Sequence, residues 1–156
     1  MDDTFLEAAM QAAMDEAKQG LSEGGIPIGS ALVKDGKIIG RGHNRRVQEG
    51  DPIMHAEIAC LQNAGRIGRY NETDLYSTLM PCYLCAGAVV QFGIRRVFVG
   101  ESENFAGARK FLKSHGVDVV DLNLEESKQM MRQFIRSRPE LWHEDIGELS
   151  PRALKG

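Results

Sequence analysis

At the start of the chain the apolar positions Phe5, Ala9, Ala12 and Ala13 recur at helical spacing, with Glu7, Gln11, Asp15 and Glu16 between them. That pattern predicts an amphipathic helix. Thr4 followed three residues later by Glu7 has the form of a capping box, and Gly20 is a candidate for the C′ position that would close the helix. The run Gly24-Gly25-Ile26-Pro27 then breaks the periodicity. Residues 28–33 and 37–42 read as short strands joined by Asp35-Gly36, a pair that favours a tight hairpin. A polar loop over 44–52 follows, then a helix over 55–64 that Gly65 is placed to end. Residues 74–79 predict a strand, 82–92 an apolar helix closed by Gly93, and 95–100 a further strand. Residues 105–115 read as a helix with Gly116 behind it, and 117–121 as a strand. Asn123 with Glu126 gives a second capping signal, for a helix running to about Arg136, and Pro139 restarts a short one. From Gly147 onward the pattern frays. A hairpin followed by alternating strands and helices specifies an α/β domain, its central sheet covered by helices on both faces.

Composition narrows this without changing it. A chain of 156 residues with 42% hydrophobic and 26% charged residues fits one globular domain. With no repeat, low-complexity segment or linker, 1–148 is expected to be that domain and 149–156 a flexible tail. The opening is acidic and no basic segment precedes an apolar block, so neither a secretory leader nor a membrane span is expected. A net charge of −3 argues against a nucleic-acid partner, since nonspecific binding to a polyanion rests on clustered Lys and Arg. Three cysteines without a secretory leader argue for a reducing, cytoplasmic setting rather than a disulfide framework.

The candidate chemistry lies in three features taken in order: His55-Ala56-Glu57, Pro81-Cys82, and Cys85. Alone, a His-x-Glu at a helix start is a polar first turn, and a Cys-x-x-Cys on an apolar helix is two buried thiols or a redox pair. Together they make a ligand set. Cys82 and Cys85 stand one turn apart, Pro81 suits a helix N-terminus where thiolates are favoured, and His55 adds an imidazole from a second helix. Three protein ligands leave the fourth position of a tetrahedral zinc for water, the plan of a catalytic site, with one Zn²⁺ per chain. Glu57, not needed as a ligand, is the candidate proton carrier. Positions two apart on a regular helix diverge, so His55 and Glu57 converge only if His55 is not yet helical. Pro52 upstream fits that, because it disfavours helical geometry for Asp51. Cys60 has no partner at ligand spacing and reads as a core residue.

The order His-x-Glu … Pro-Cys-x-x-Cys resembles the signature of the zinc-dependent nucleobase deaminases. Within that superfamily, the cytidine/deoxycytidylate deaminases, the chain is most similar to the small fungal-type cytosine deaminases. The resemblance runs through Gly24 to Gly29, Gly40-Arg41-Gly42-His43-Asn44, Val99-Gly100-Glu101 with Asn104-Phe105, and the segment from Trp142 to Glu148. It implies a three-layer α/β/α sandwich around a mixed five-stranded sheet, a homodimer, and hydrolysis of cytosine to uracil and ammonia. It also implies roles. Asn44 and the backbone N–H of Ala56 bind the O2 edge, Glu57 bonds N3 and shuttles protons, Asp145 accepts from the exocyclic amine, and Ile28, Phe105 and Trp142 form apolar walls.

Two positions depart from the family pattern: Met80, where a small hydroxyl residue is usual, and His143, where an aromatic ring is usual. The family uses the backbone carbonyl at the first of these, so Met80 changes the pocket's shape rather than that contact. Taken without the metal motif, Asn44 is a turn residue, Trp142 a core aromatic and Phe105 a helix-start anchor. The alternatives are deamination of guanine, a nucleoside or another aminoheterocycle, tRNA adenosine deamination, and a zinc-stabilised scaffold in which Glu57 has no purpose.

Overall fold

Asp35 and Gly36 take positive φ angles, 51° and 70°, as a tight two-residue hairpin turn requires. In the computed structural model, which describes residues 3–148, they join β1 (Gly29–Lys34) to β2 (Lys37–His43) in antiparallel register. The other edge of β1 pairs antiparallel with β3 (Thr73–Ser77). Beyond it β4 (Arg96–Val99) and β5 (Asp118–Asp121) add in parallel, giving a mixed five-stranded sheet in the order β2-β1-β3-β4-β5.

Alternation along the strands sends Ala31, Val33, Tyr76 and Phe98 to one face, where they meet Ala9, Met10 and Ala13 of α1 (Asp3–Ser22). Leu32, Leu75, Val97 and Val99 point to the other face. There they pack with Cys60 of α3 (Ala56–Ala64), Val89 of α4 (Tyr83–Phe92) and Leu112 of α5 (Arg109–Ser114). The helix α6 (Glu125–Ser137) lies beside α1, with Ser127 Oγ 3.1 Å from Met14 Sδ. The three layers expected from the resemblance are therefore present. Cys60 is fully buried, its thiol pushed up to about 12 by burial, and it is inert core material as expected.

Two glycines of β2 set how closely α3 approaches the sheet. A Cβ on Gly42 would lie 2.6 Å from the backbone N of Cys60, and one on Gly40 would lie 2.7 Å from Cβ of Ala64. Without those atoms the helix rests directly on the strand, which brings its N-terminus to the end of the hairpin.

Several local expectations are corrected. Thr4 is already helical and is not the N-cap of α1. Gly20 lies inside α1, where its lack of a side chain makes room for the His43 ring; a Cβ there would stand 3.2 Å from it. The helix ends instead in a Schellman motif. Gly25 N–H bonds to Gly20 O at 2.9 Å, Gly24 N–H to Leu21 O at 3.0 Å, and Gly24 supplies φ 87°. The loop after β2 contains a four-residue turn of helix, α2 (Arg46–Glu49), too short to leave a periodic signal. The segment 105–108 is not helical, because Gly107 at φ 58° turns the chain and Ala108 N–H bonds to Pro81 O at 3.0 Å. Asn123 does not cap α6. It adopts φ 53°, its N–H bonds to the Asp121 carboxylate, and the N-cap is Leu124. The short helix after Pro139, α7 (Pro139–Asp145), forms as expected with the proline in its first turn. The tail 149–156 lies outside the described residues.

Candidate active site

His55 is the N-cap of α3, with extended backbone angles of φ −72° and ψ 162°. That non-helical geometry lets its ring and the Glu57 side chain converge. Cys82 is likewise the N-cap of α4, at φ −76° and ψ 179°, so it precedes the first helical turn and Cys85 lies within it. Two helix N-termini thus face each other, and both favour anionic ligands through their unpaired N–H groups.

The donor atoms of His55, Cys82 and Cys85 all lie within 4.8 Å of one another, and Nδ1 of His55 is 3.4 Å from Sγ of Cys82. The groups share protons. A hydrogen bond from Cys85, with help from His55 and against burial, pulls the Cys82 thiol down to about 4. Cys85 is pushed well above the usual thiol range by that bond and by burial. Burial disfavours charge on His55, but its bond to Cys82 and the charge of Asp145 outweigh this and raise it to about 9. A divalent cation competes with these protons, and one neutral imidazole with two thiolates is the donor set that zinc favours.

Glu57 is 4% exposed. Burial, followed by the nearby Cys82 thiolate, raises its carboxyl above the ordinary range. Its Oε1 lies 2.8 Å from the hydroxyl of Ser77, which also stands 2.9 Å from Leu79 O. A hydroxyl carries one proton and two lone pairs, so Ser77 donates to an ionised Glu57. When Glu57 is protonated, Ser77 turns to Leu79 O and accepts. Both states of the carboxyl therefore keep a partner.

A cavity of about 290 Å³, counting its open mouth, sits against these groups. The residues singled out from the sequence come together in its wall: Ile28, Asn44, His55, Ala56, Glu57, Cys82, Phe105, Trp142 and Asp145. Cys85 is buried behind them. Asn44 accepts from Arg46 N–H through Oδ1 at 3.0 Å and donates from Nδ2 to Asp145 Oδ1 at 3.1 Å. The same Asp145 oxygen is 3.5 Å from Nε2 of His55. Phe105 and Trp142 meet edge to face, with centroids 5.5 Å apart. Phe105 acts as a pocket wall, though from a turn rather than a helix start. Met80 also lines the cavity and is 1% exposed, so the first departure from the family pattern does reach the site, whereas His143 is not among the lining residues. Sequence reasoning missed Ser77, Leu79, Ile146 and Arg46. Only Ser77 left a signal, as a polar residue ending a strand buried along its whole length.

Residues 3–101 match the cytidine and deoxycytidylate deaminase zinc-binding region. The chain belongs to that family. Cytosine deaminase of Candida albicans is 46% identical over 142 residues, 89% of this chain and 95% of that protein. A tRNA-specific adenosine deaminase of Streptococcus pyogenes is 43% identical over 103 residues, 64% of this chain and 65% of its own length. A structure solved in work on A-to-I editing by tRNA:A34 deaminases at the wobble position superimposes with TM-score 0.71 and 32% identity, covering 80% of this chain and 99% of that one. The protein is a deaminase of this family with a zinc-binding His55/Cys82/Cys85 site.

Proposed function

We propose that the protein hydrolyses a free nucleobase, cytosine, to uracil and ammonia. The observation that carries the reading is α7 laid across the cavity, with Trp142 and Asp145 both buried in its wall. The cavity is tight: even counting its open mouth, it encloses only about 290 Å³ of empty space. Closed by a helix, it favours one planar ring over a nucleoside. The likeness to the Candida albicans cytosine deaminase over nearly the whole chain supports the same choice.

The bound zinc would supply Lewis acidity and activate water at neutral pH. The chain's own residues do the rest. Asn44 has a second Nδ2 proton for the pyrimidine O2, beside the N–H of Ala56, which opens α3 and has no intrahelical acceptor. The second Asp145 oxygen accepts from the exocyclic amine. Ile28, Phe105 and Trp142 hold the ring and exclude water. Glu57 takes a proton from the attacking water and gives it to N3. It then takes the second proton from the new C4 hydroxyl, which becomes the carbonyl, and passes it to the departing amine. Its raised pKa suits a group that must act first as base and then as acid.

A second reading, tRNA adenosine deamination, has the Streptococcus pyogenes relative behind it, and the net charge of −3 speaks against it. Among the described residues no helix is long and apolar enough to cross a membrane. Three cysteines, none of them in a disulfide, support a reducing compartment such as the cytoplasm. The exposed Tyr83, Leu84 and Phe92 on α4 support a homodimer, which light scattering tests. Ammonia release from cytosine, cytidine, guanine, adenine and a tRNA anticodon stem-loop decides the substrate. Cytosine should be turned over best, and preference for the stem-loop would reverse the order of the two readings.

A further inference from the structure

Arg46 touches three parts of the site and no part of the inner cavity. Its backbone N–H holds Oδ1 of Asn44 at 3.0 Å, which fixes which amide atom faces Asp145. From its guanidinium, Nη1 donates to Pro52 O at 2.7 Å, at the head of the loop that leads to His55. Nη2 reaches Oε1 of Glu144 at 3.4 Å, on α7 between Trp142 and Asp145. The Arg46 side chain is 17% exposed and that of Glu144 is 60% exposed, so the arm to the loop is the stronger. Arg46, Pro52 and Glu144 line an outer groove that shares His55, Cys82 and Asp145 with the inner cavity. Asn44 is fully buried and Glu57 is 4% exposed, so both lie at the inner end of the cavity, with α7 in its wall. Of the elements in that wall, α7 is the shortest helix and comes last in the described chain.

We propose that Arg46 is a positioning residue that latches α7 to the loop carrying His55, and so sets how readily the free base is captured and the product released. The kinetic part of this rests on the cytosine reading. Loss of the guanidinium frees α7 from the loop and unclamps Asn44 only indirectly, because the backbone bond from Arg46 N–H survives any substitution of its side chain. Lysine restores the charge but cannot serve both acceptors with a planar fork.

Trp142 is the only tryptophan of the chain and is 4% exposed on α7, so acrylamide quenching of its fluorescence reads the latch without any substrate. Quenching should rise clearly in Arg46→Gln, less in Glu144→Gln, and to an intermediate level in Arg46→Lys. The double variant should match Arg46→Gln alone, since both changes cut one link. Lys18→Gln, which removes a surface ion pair with Glu126 remote from the site, should leave quenching unchanged. With cytosine, KM should rise by about tenfold in Arg46→Gln and by about two- to threefold in Glu144→Gln, with smaller changes in kcat and zinc content unaltered. If Arg46→Gln does not fold, Glu144→Gln carries the test. Quenching equal to that of the unaltered protein in Glu144→Gln and Arg46→Gln, or strictly additive effects in the double variant, would overturn the latch. Absence of cytosine turnover by the unaltered protein would overturn the functional reading instead, and quenching would still judge the latch.

Discussion

Asn44 Nδ2 donates to Asp145 Oδ1 at 3.1 Å, joining the end of the first hairpin to the last helix across 101 residues of chain. The bond closes the cavity with groups that also face the substrate edge. Asp145→Ala leaves the amide of Asn44 and the substrate amine without an acceptor. A lost contact of this kind is worth about 1–3 kcal/mol, or roughly five- to 160-fold in kcat/KM. Steady-state kinetics on cytosine, with circular dichroism and zinc content alongside, should show activity falling while fold and metal persist. Unchanged kcat/KM would remove Asp145 from the site.

Glu57→Gln preserves shape and the contact with Ser77 but carries no exchangeable acid proton. Turnover should fall by about 10²- to 10⁴-fold while zinc stays bound, since His55, Cys82 and Cys85 are untouched. A zinc-loaded Glu57→Gln protein with near-normal kcat would place the proton carrier elsewhere.

Cys85→Ala removes one of three ligands from the junction of α3 and α4. Elemental analysis should find less than one zinc per chain. The melting temperature should drop as well, because a metal bound only by the folded form stabilises it. Full occupancy would overturn the ligand assignment.

Acid stability should depend on Glu23, near the end of α1. Hydrogen bonds from Gln19, then His43 and Gln48, pull its carboxyl from an ordinary 4.5 down to about 2. A folded value below the unfolded one means the unfolded chain takes up the proton first. The contribution is therefore present above pH 4.5 and is lost as pH falls toward 2. It is modest at so exposed a group. Melting temperature followed from pH 7 to pH 2 should fall less steeply below pH 4.5 in Glu23→Gln than in the unaltered protein, and parallel curves would refute the assignment.

How much of this was legible before the structure depended on whether a signal was local. The Asp35-Gly36 turn, the glycines ending α3 and α4, and the Cys82/Cys85 spacing are local, and each stands where the pattern placed it. The ligand geometry followed because steric reasoning alone required His55 to lie off the helix. Gly20 and Asn123 misled because a glycine or asparagine carries the same local signal whether it ends a helix, admits a neighbouring ring or turns a loop. Which applies is decided by residues far along the chain, such as His43 against Gly20. Arg46 was invisible because its tie to α7 depends on Glu144, 98 residues away, and Ser77 showed only its polarity, its partner Glu57 lying 20 residues away.

The bare backbone of β2 at Gly42 has a consequence for the metal. Alanine there would set a methyl group 2.6 Å from the Cys60 nitrogen, a separation that backbone can relieve only by moving. The third helix would ride outward with the imidazole and the proton carrier on it, while both thiolates kept their places on a different helix. The gap between the imidazole and the sulfurs is thus gauged by an atom that is missing from the strand beneath the helix. A change that adds one carbon and alters no charge would retune metal affinity and turnover together, the way a shim misaligns a bearing.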